Sequence, residues 1–253
     1  MKAAFILLGA LGVAVLAWFW LASSTPSNIL IEDAIASPMK DGRIGIFLTV
    51  NNQGSPDRLI SASSSAGAVT LHKAFGTDDL PIQVGRSALA SDAAHILIPS
   101  GEVAFEIGVL LPVTLTFANA GNVQLKARMS EPAMQDHAGM AMGSEMRATD
   151  IDMPAPTVLL AASPQGDGWR IAITTENFEF SEEKVGAPHE AGTGHAHIYA
   201  GGMKLGRVYG PDYLVGELPA GSHDIRIVLN TNDHRPYMGA DGPVMATTVI
   251  EVD

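Results

Sequence analysis

Short runs of alternating apolar and polar residues, separated by turn-forming residues, fill the chain from about residue 30 onward. In the first half these runs are residues 44–50, 58–62, 69–74, 113–117 and 123–127. Short runs that end in turn residues, as the first does at Asn51-Asn52-Gln53-Gly54, are typical of β-strands. Neither half shows the longer period of a convincing amphipathic helix. The pattern therefore predicts an all-β fold, a sandwich or barrel rather than alternating βα units.

A second set of strand-like runs begins after residue 156. It comprises residues 157–162, 169–174, 195–200, 204–209, 223–229 and 244–252, with a predicted hairpin turn at 163–168. Residues 129–156, between the two sets, contain few large aliphatic side chains, which is typical of a linker. We therefore predict two β-sandwich domains, 30–128 and 157–253, joined by a methionine-rich linker at 129–156.

The N-terminal segment, residues 1–24, has the pattern of an export signal or a membrane anchor. Lys2 precedes an uncharged apolar run at residues 3–22, and Ala22-Ser23-Ser24 offers small residues for cleavage. The run is about as long as a membrane span requires, roughly 20 residues, and Trp18 and Trp20 suit the interface at its outer end. A cleaved signal peptide and a retained transmembrane helix both remain open, and both place the following domains across the membrane.

The composition excludes several kinds of chemistry. The 253 residues include no cysteine, 11 methionines and 8 histidines, and the formal net charge is -12. Without thiolates, the binding of soft metals falls to methionine and histidine. An acidic chain is also a poor match for nucleic acid, whose phosphates require clustered Lys and Arg. Because no Ser/His/Asp or Cys/His arrangement, phosphate loop or paired-carboxylate motif is recognisable, we expect a protein that is not an enzyme.

Several segments of the first domain together resemble one family. They are Ile31-Glu32-Asp33-Ala34, Ala36-Ser37-Pro38, residues 47–52, 56–60, 69–72 and 112–117, and Ala120-Gly121. In this combination residues 30–128 resemble PCuAC domains, the periplasmic copper-chaperone family. The resemblance implies a cupredoxin-like β-sandwich on the periplasmic side of a bacterial inner membrane, or free in the periplasm if the signal is cleaved. It also implies Cu(I) bound by two histidines and two methionines.

Only one of the family's ligands has a clear counterpart in this domain. His72 falls at the position of the family's first histidine, but no methionine occurs between Lys73 and Gly85. The family's His-x-Met loop is also missing, because residues 99–107 run almost directly into residues 109–112. The resemblance therefore implies His72 as a metal ligand in a reduced pocket, and the alternative is a surface histidine at a strand end.

The linker contains a compact set of soft donors, His137, Met140 and Met142. Thioether sulfur suits Cu(I), and a flexible Met/His segment moves a metal between sites without forming a rigid cage. Many PCuAC proteins carry a comparable Met/His-rich tail, so the resemblance supports copper binding here. The alternative is a low-complexity linker whose methionines pack loosely on a neighbouring domain.

The second domain holds the sharpest local pattern, Gly194-His195-Ala196-His197-Ile198-Tyr199. On a strand, His195, His197 and Tyr199 share one face, and successive members of that face are roughly 6.5 Å apart. Two imidazoles at that separation converge readily on one ion, and neutral imidazole serves copper or zinc. His234, in the polar segment after the 223–229 strand, and His223, at its start, are further candidate ligands, with Asp233 as a residue that orients a ligand.

The alternative for this pattern is a hydrogen-bonded polar core, in which Asn232 and Asp233 cap a turn. The second domain also resembles uncharacterised exported bacterial β-sandwich domains that have His-x-His-x-Tyr and Asn-Asp-His segments. That resemblance implies no settled function.

Two functions follow from these observations. The first is an exported copper-binding protein, a chaperone that delivers copper to a respiratory copper enzyme such as an oxidase, with the N-terminal helix as membrane contact. The second is a membrane-anchored accessory subunit of a larger complex, in which the PCuAC-like domain has lost its metal.

Overall fold

The computed structural model describes residues 28–73, 80–131, 147–148 and 154–253. The predicted N-terminal helix at residues 1–24 and the linker donors His137, Met140 and Met142 lie outside these ranges. Within the described ranges, no helix has the length and hydrophobicity that a membrane span requires.

The described residues form β-strands joined by turns and loops, so the prediction of an all-β fold is confirmed. The strands of the first region are β1 (Ile29–Pro38), β2 (Ile44–Asn52), β3 (Asp57–Ser63), β4 (Thr70–His72), β5 (Leu80–Ile82), β6 (Gly85–Leu89), β7 (His95–Ile98), β8 (Leu110–Phe117) and β9 (Gly121–Met129). A short strand in the linker is β10 (Arg147–Ala148). The strands of the second region are β11 (Thr157–Gln165), β12 (Gly168–Glu176), β13 (Glu179–Phe180), β14 (Thr193–Ala200), β15 (Met203–Val208), β16 (Asp212–Val215), β17 (Gly221–Thr231), β18 (Tyr237–Gly239), β19 (Gly242–Pro243) and β20 (Met245–Val252).

The buried apolar residues form two main clusters, one for each region. The first fills the interior of strands β1–β9 with residues such as Ile46, Leu48, Ile96 and Leu115. The second lies between the β11–β12–β16 sheet and strands β14, β17 and β20, and it includes Ile171, Ile198 and Ile227. Strands with one buried face show the expected alternation, as in β8, whereas β2 and β14 are buried on both faces.

The two regions share one continuous sheet. Its strand order is β20-β17-β14-β15-β6-β2-β1-β9-β8-β3-β5, and the regions join where β15 pairs with β6 at Lys204 and Ala88. The backbone NH of Ala94 donates to Gly202 O at 2.8 Å, and Gly216 NH donates to Gln83 Oε1, also at 2.8 Å. Met203 of β15 is completely buried within the first cluster. The second region is therefore held against the first by backbone, polar and apolar contacts.

Candidate metal centre

Strand β14 supplies two of the histidines. Every second side chain of this strand packs in the second apolar cluster, namely Ala196, Ile198 and Ala200. His195, His197 and Tyr199 therefore lie on the opposite face, as the sequence pattern predicts. That face is also covered, because His195 is 0% and His197 is 1% exposed. The cover comes from the loop between β6 and β7, whose Ala90 and Ala93 pack on Tyr199.

The third histidine, His234, lies on the turn that follows β17. Its backbone is left-handed, with φ of 64°, a conformation that non-glycine residues rarely adopt. The turn is closed by Thr231, whose hydroxyl donates to Asp233 Oδ1 at 2.5 Å and accepts from the Arg235 NH at 3.1 Å. The carboxylate of Asp233 also pairs with the guanidinium of Arg235, so this residue stabilises the turn that presents His234.

The three rings come together at one point. One ring nitrogen each from His195, His197 and His234 lies within 4.8 Å of the other two. The Nε2 atoms of His195 and His197 are 3.1 Å apart, and the ring centroids of His195 and His234 are 4.7 Å apart. His195 and His197 are buried and His234 is half-buried, so the cluster lies at the rim of the protein with one ligand near solvent.

This arrangement fits an ion that prefers imidazole nitrogen. Two nitrogens bound to one ion at about 2.0–2.1 Å are roughly 3 to 3.5 Å apart, as the two Nε2 atoms are. Without an ion, one ring donates a hydrogen bond to the other across the same distance. The buried Nδ1 of His195 has no hydrogen-bond partner among the described residues, which is unusual for a buried polar atom. Protein hydrogen bonds at Nδ1 therefore do not hold this ring in place.

One carboxylate lies behind the cluster and comes from the first region. Asp92, in the loop between β6 and β7, has its Oδ2 2.9 Å from Nδ1 of His197. The same oxygen accepts hydrogen bonds from the Tyr199 hydroxyl at 2.6 Å and from the Lys204 ammonium at 2.8 Å. The carboxylate can only accept, so Nδ1 of His197 carries the proton in the neutral ring, and the lone pair on Nε2 faces His195. The Lys204 ammonium lies 3.2 Å from the same Nδ1 and donates to the closer oxygen of Asp92 instead.

The sequence did not indicate Asp92. It is 105 residues from His197 and belongs to no motif, so only the folded structure places it beside the histidines.

The other candidates from the sequence lie elsewhere. His223 lies near the start of β17, where it pairs with Ile250 of β20. Asn230, seven residues later on β17, is the residue that pairs with His195. At about 3.3 Å per residue this separates His223 from the cluster by roughly 23 Å, and its Nε2 donates to Pro219 O at 2.5 Å.

His72 lies opposite His95 in the β4–β7 pair, with ring centroids 4.7 Å apart. The structure therefore brings together His195, His197 and His234 and does not bring His223 or His72 to them.

Burial and neighbouring charges determine the protonation of the site. Burial, followed by the charges of His197 and His234, lowers the pKa of His195 to about 2. Burial, followed by the Lys204 ammonium, lowers the pKa of His197 to about 4. Burial alone would raise the pKa of Asp92, but Lys204 and His197 outweigh it and hold this pKa well below its usual range. At neutral pH both histidines are therefore neutral, as metal ligation requires, and Asp92 is ionised.

These pKa values predict that the metal-free protein loses stability in mild acid. In the unfolded chain the two histidines take up protons as the pH falls through about 6.5, whereas in the folded chain His197 does so only near pH 4. The unfolded state therefore binds more protons between these values, and the free energy of unfolding falls with the pH. We expect a decrease on the order of 2 to 4 kcal/mol between pH 7 and pH 5, measured by urea denaturation with a chelator present.

The variant His195→Asn/His197→Asn provides the control for this measurement. Burial also lowers the pKa of His95 and His223, so part of the decrease has other sources. The double variant is expected to lose stability less steeply than the wild-type chain. Equal slopes for the two proteins would contradict the protonation described for the site.

Comparison with known proteins bears on the first region. Residues 29–129 match the family model of LpqE-like lipoproteins, which is related to PCuAC domains. The chain is similar to the copper-bound PCuAC domain from PmoF2, with 27% identity over 41% of this chain and 93% of that chain and a TM-score of 0.37. It is also similar to the apo PCuAC domain from PmoF1, with 20% identity over 41% of this chain and 94% of that chain and a TM-score of 0.37.

No curated protein matches the chain. The histidine cluster lies outside the segment that the family model covers, whereas Asp92 lies inside it. The resemblance predicted from the sequence is confirmed for the first region, because residues 29–129 match the LpqE-like, PCuAC-related family model.

Proposed function

We propose that this protein is an exported copper-binding protein that carries copper at His195, His197 and His234 and passes it to a respiratory copper enzyme. The observation that supports the proposal is the convergence of three histidine nitrogens within 4.8 Å of one another. The recipient would be an oxidase or another subunit of a membrane complex, reached from the periplasmic side of the inner membrane. Copper is the cargo in this proposal, and no redox turnover is assigned to it.

The donor set favours copper over harder ions. Imidazole nitrogen suits copper, zinc, iron and nickel, and for a given nitrogen site Cu²⁺ has the highest affinity among the divalent first-row ions. Calcium and magnesium prefer oxygen ligands, and the cluster consists of imidazoles alone. The PCuAC-related first domain supports copper as the ion among those that histidine can hold.

The position of the site suits cargo that must be released. His195 and His197 are buried on a central strand, whereas His234 is half-buried on a turn. A copper ion would therefore leave by losing His234 first, because this ligand alone lies on a turn near solvent. Enclosure by buried ligands on every side would instead suit a permanent structural metal.

The methionine-rich linker supports a relay to this site. Its strand β10 directly follows Met146 in the sequence and pairs in parallel with β18 at Tyr237 and Met238. Strand β18 begins three residues after His234. We propose that the linker donors His137, Met140 and Met142 receive Cu(I) and pass it to the histidine cluster.

Copper titration of the purified chain tests the proposed function. We expect a tight copper equivalent that is lost in His195→Asn/His197→Asn, since the two buried ligands are then gone. His72→Asn serves as the matched control and should retain that equivalent, because His72 lies outside the cluster. Met140→Leu/Met142→Leu should also retain it, while any weaker binding by the linker disappears.

Two results would contradict the proposal. Unchanged copper stoichiometry in the double histidine variant would remove the cluster as the binding site. No bound copper in the wild-type chain, together with its co-purification in a detergent-extracted complex, would instead select the accessory-subunit function.

His234→Asn tests the role of the ligand on the turn. Asparagine tolerates the left-handed backbone that the turn requires, so the fold should be preserved. We expect copper affinity to fall by at least tenfold, which is about 1.4 kcal/mol, and a chelator to remove the ion faster. The measurement is stopped-flow transfer of copper to a coloured chelator, and wild-type transfer rates in this variant would show that His234 is not the ligand that is released first.

A further inference from the structure

We infer that the metal site is built across the two regions, with Asp92 of the PCuAC-related domain as the positioning residue for His197. This inference rests on the proposed function. It gives the first region a task in metal binding, which is to hold the carboxylate that orients a metal ligand of the second region.

The contacts of Asp92 carry the inference. Its Oδ2 lies 2.9 Å from Nδ1 of His197, and its side chain is only 10% exposed. A metal-bound histidine typically donates its other ring N–H to a carboxylate or carbonyl, which selects the tautomer and the ring orientation. In the neutral ring of His197 this contact leaves Nε2 unprotonated, 3.1 Å from Nε2 of His195.

Tyr199 and Lys204 hold the carboxylate in this position. Both belong to the second region and donate to the same oxygen, at 2.6 Å and 2.8 Å. The ammonium of Lys204 also compensates the charge of Asp92, which would otherwise be costly at this burial. Asp92 is thus bound by three side chains of the second region at one oxygen atom.

The loop that carries Asp92 is itself well braced. The NH of Ala90 donates to Ala94 O at 2.9 Å, and the NH of Ala93 donates to Ala90 O at 3.0 Å. His95 donates from Nδ1 to Ala93 O at 2.9 Å, and Ala94 NH donates across the junction to Gly202 O. A rigid loop of this kind positions a ligand more accurately than a mobile one does.

The PCuAC-related domain would therefore contribute to metal binding without supplying a ligand. Its single counterpart of the family ligands, His72, pairs with His95 on the strand that follows the loop of Asp92. His95 in turn is bonded to Ala93, next to Asp92. The first region would act on the metal site through the β6–β7 loop, whose Asp92 carboxylate orients His197.

The test compares Asp92→Asn with Gln83→Met in the full-length chain, using Cu(II) titrated in competition with a chelating buffer. Asn replaces the carboxylate with an amide of similar shape, so His197 loses the charged acceptor. Met replaces Gln83, which accepts the Gly216 NH at the same junction but does not contact the histidines in the hydrogen bonds described. This control weakens the junction alone.

We expect Asp92→Asn to bind the same copper equivalent about 10- to 100-fold more weakly, as removal of an orienting partner does. We expect Gln83→Met to retain wild-type affinity even where it lowers the denaturation midpoint. The second readout is the nitrogen NMR signature of His197 in the metal-free protein, which should report a proton on Nδ1 in the wild-type chain and a mixture of tautomers in Asp92→Asn.

Equal copper affinities in Asp92→Asn, Gln83→Met and the wild-type chain would overturn the inference and leave the proposed function intact. Equal losses of affinity in both variants, with the tautomer of His197 unchanged, would reduce Asp92 to a structural contact and also overturn it. A wild-type chain that binds no copper would contradict the proposed function, and the inference would fail with it.

Discussion

The hydrogen bond between Asp92 and His197 is the contact on which the site depends. It joins a loop of the first region to the central strand of the second, and it leaves Nε2 as the nitrogen of a neutral His197 that is available to an ion. The same carboxylate receives Tyr199 and Lys204, so one buried anion organises three side chains of the second region. A buried carboxylate is stable only when it is paired in this way, which ties the site to the docking of the two regions.

The strand pattern and the His-x-His face followed from local rules. Alternation along a strand is a property of neighbouring residues, so the shared face of His195, His197 and Tyr199 was predictable from residues 194–199 alone. His234 was also predictable as a candidate. It follows the end of β17, and the end of a strand lies beside the start of its antiparallel neighbour, which here is β14. His223 was a further candidate from the sequence, but seven residues of extended strand separate it from the residue that faces His195.

Asp92 was not predictable by the same reasoning. Its role depends on the pairing of β6 with β15, which brings together segments more than 100 residues apart, as the separation of 105 residues between Asp92 and His197 shows. Nothing in the local sequence, an alanine- and serine-rich loop, marks it as a functional acid. Its ion-pair partner Lys204 is a charged residue on a strand, and its need for a partner becomes evident only in the structure, where its side chain is 13% exposed.

The proposed copper site in the second region would also explain why the sequence of the first region shows only one counterpart, His72, of the family's ligands. If copper is held by the second region, the PCuAC-related domain is free to lose its own ligands while it keeps the loop that orients His197. His234 fits the same account, because its left-handed backbone is a local cost that places an imidazole over the buried pair.

X-ray absorption at the copper edge identifies the ligands of the ion, measured on the full-length chain loaded with less than one equivalent of copper. A site built from His195, His197 and His234 predicts a first coordination shell of imidazole nitrogens at about 2.0–2.1 Å, the length of zinc–imidazole bonds in proteins. A shell dominated by sulfur would place the ion on the methionines of the linker and would contradict a site built from His195, His197 and His234.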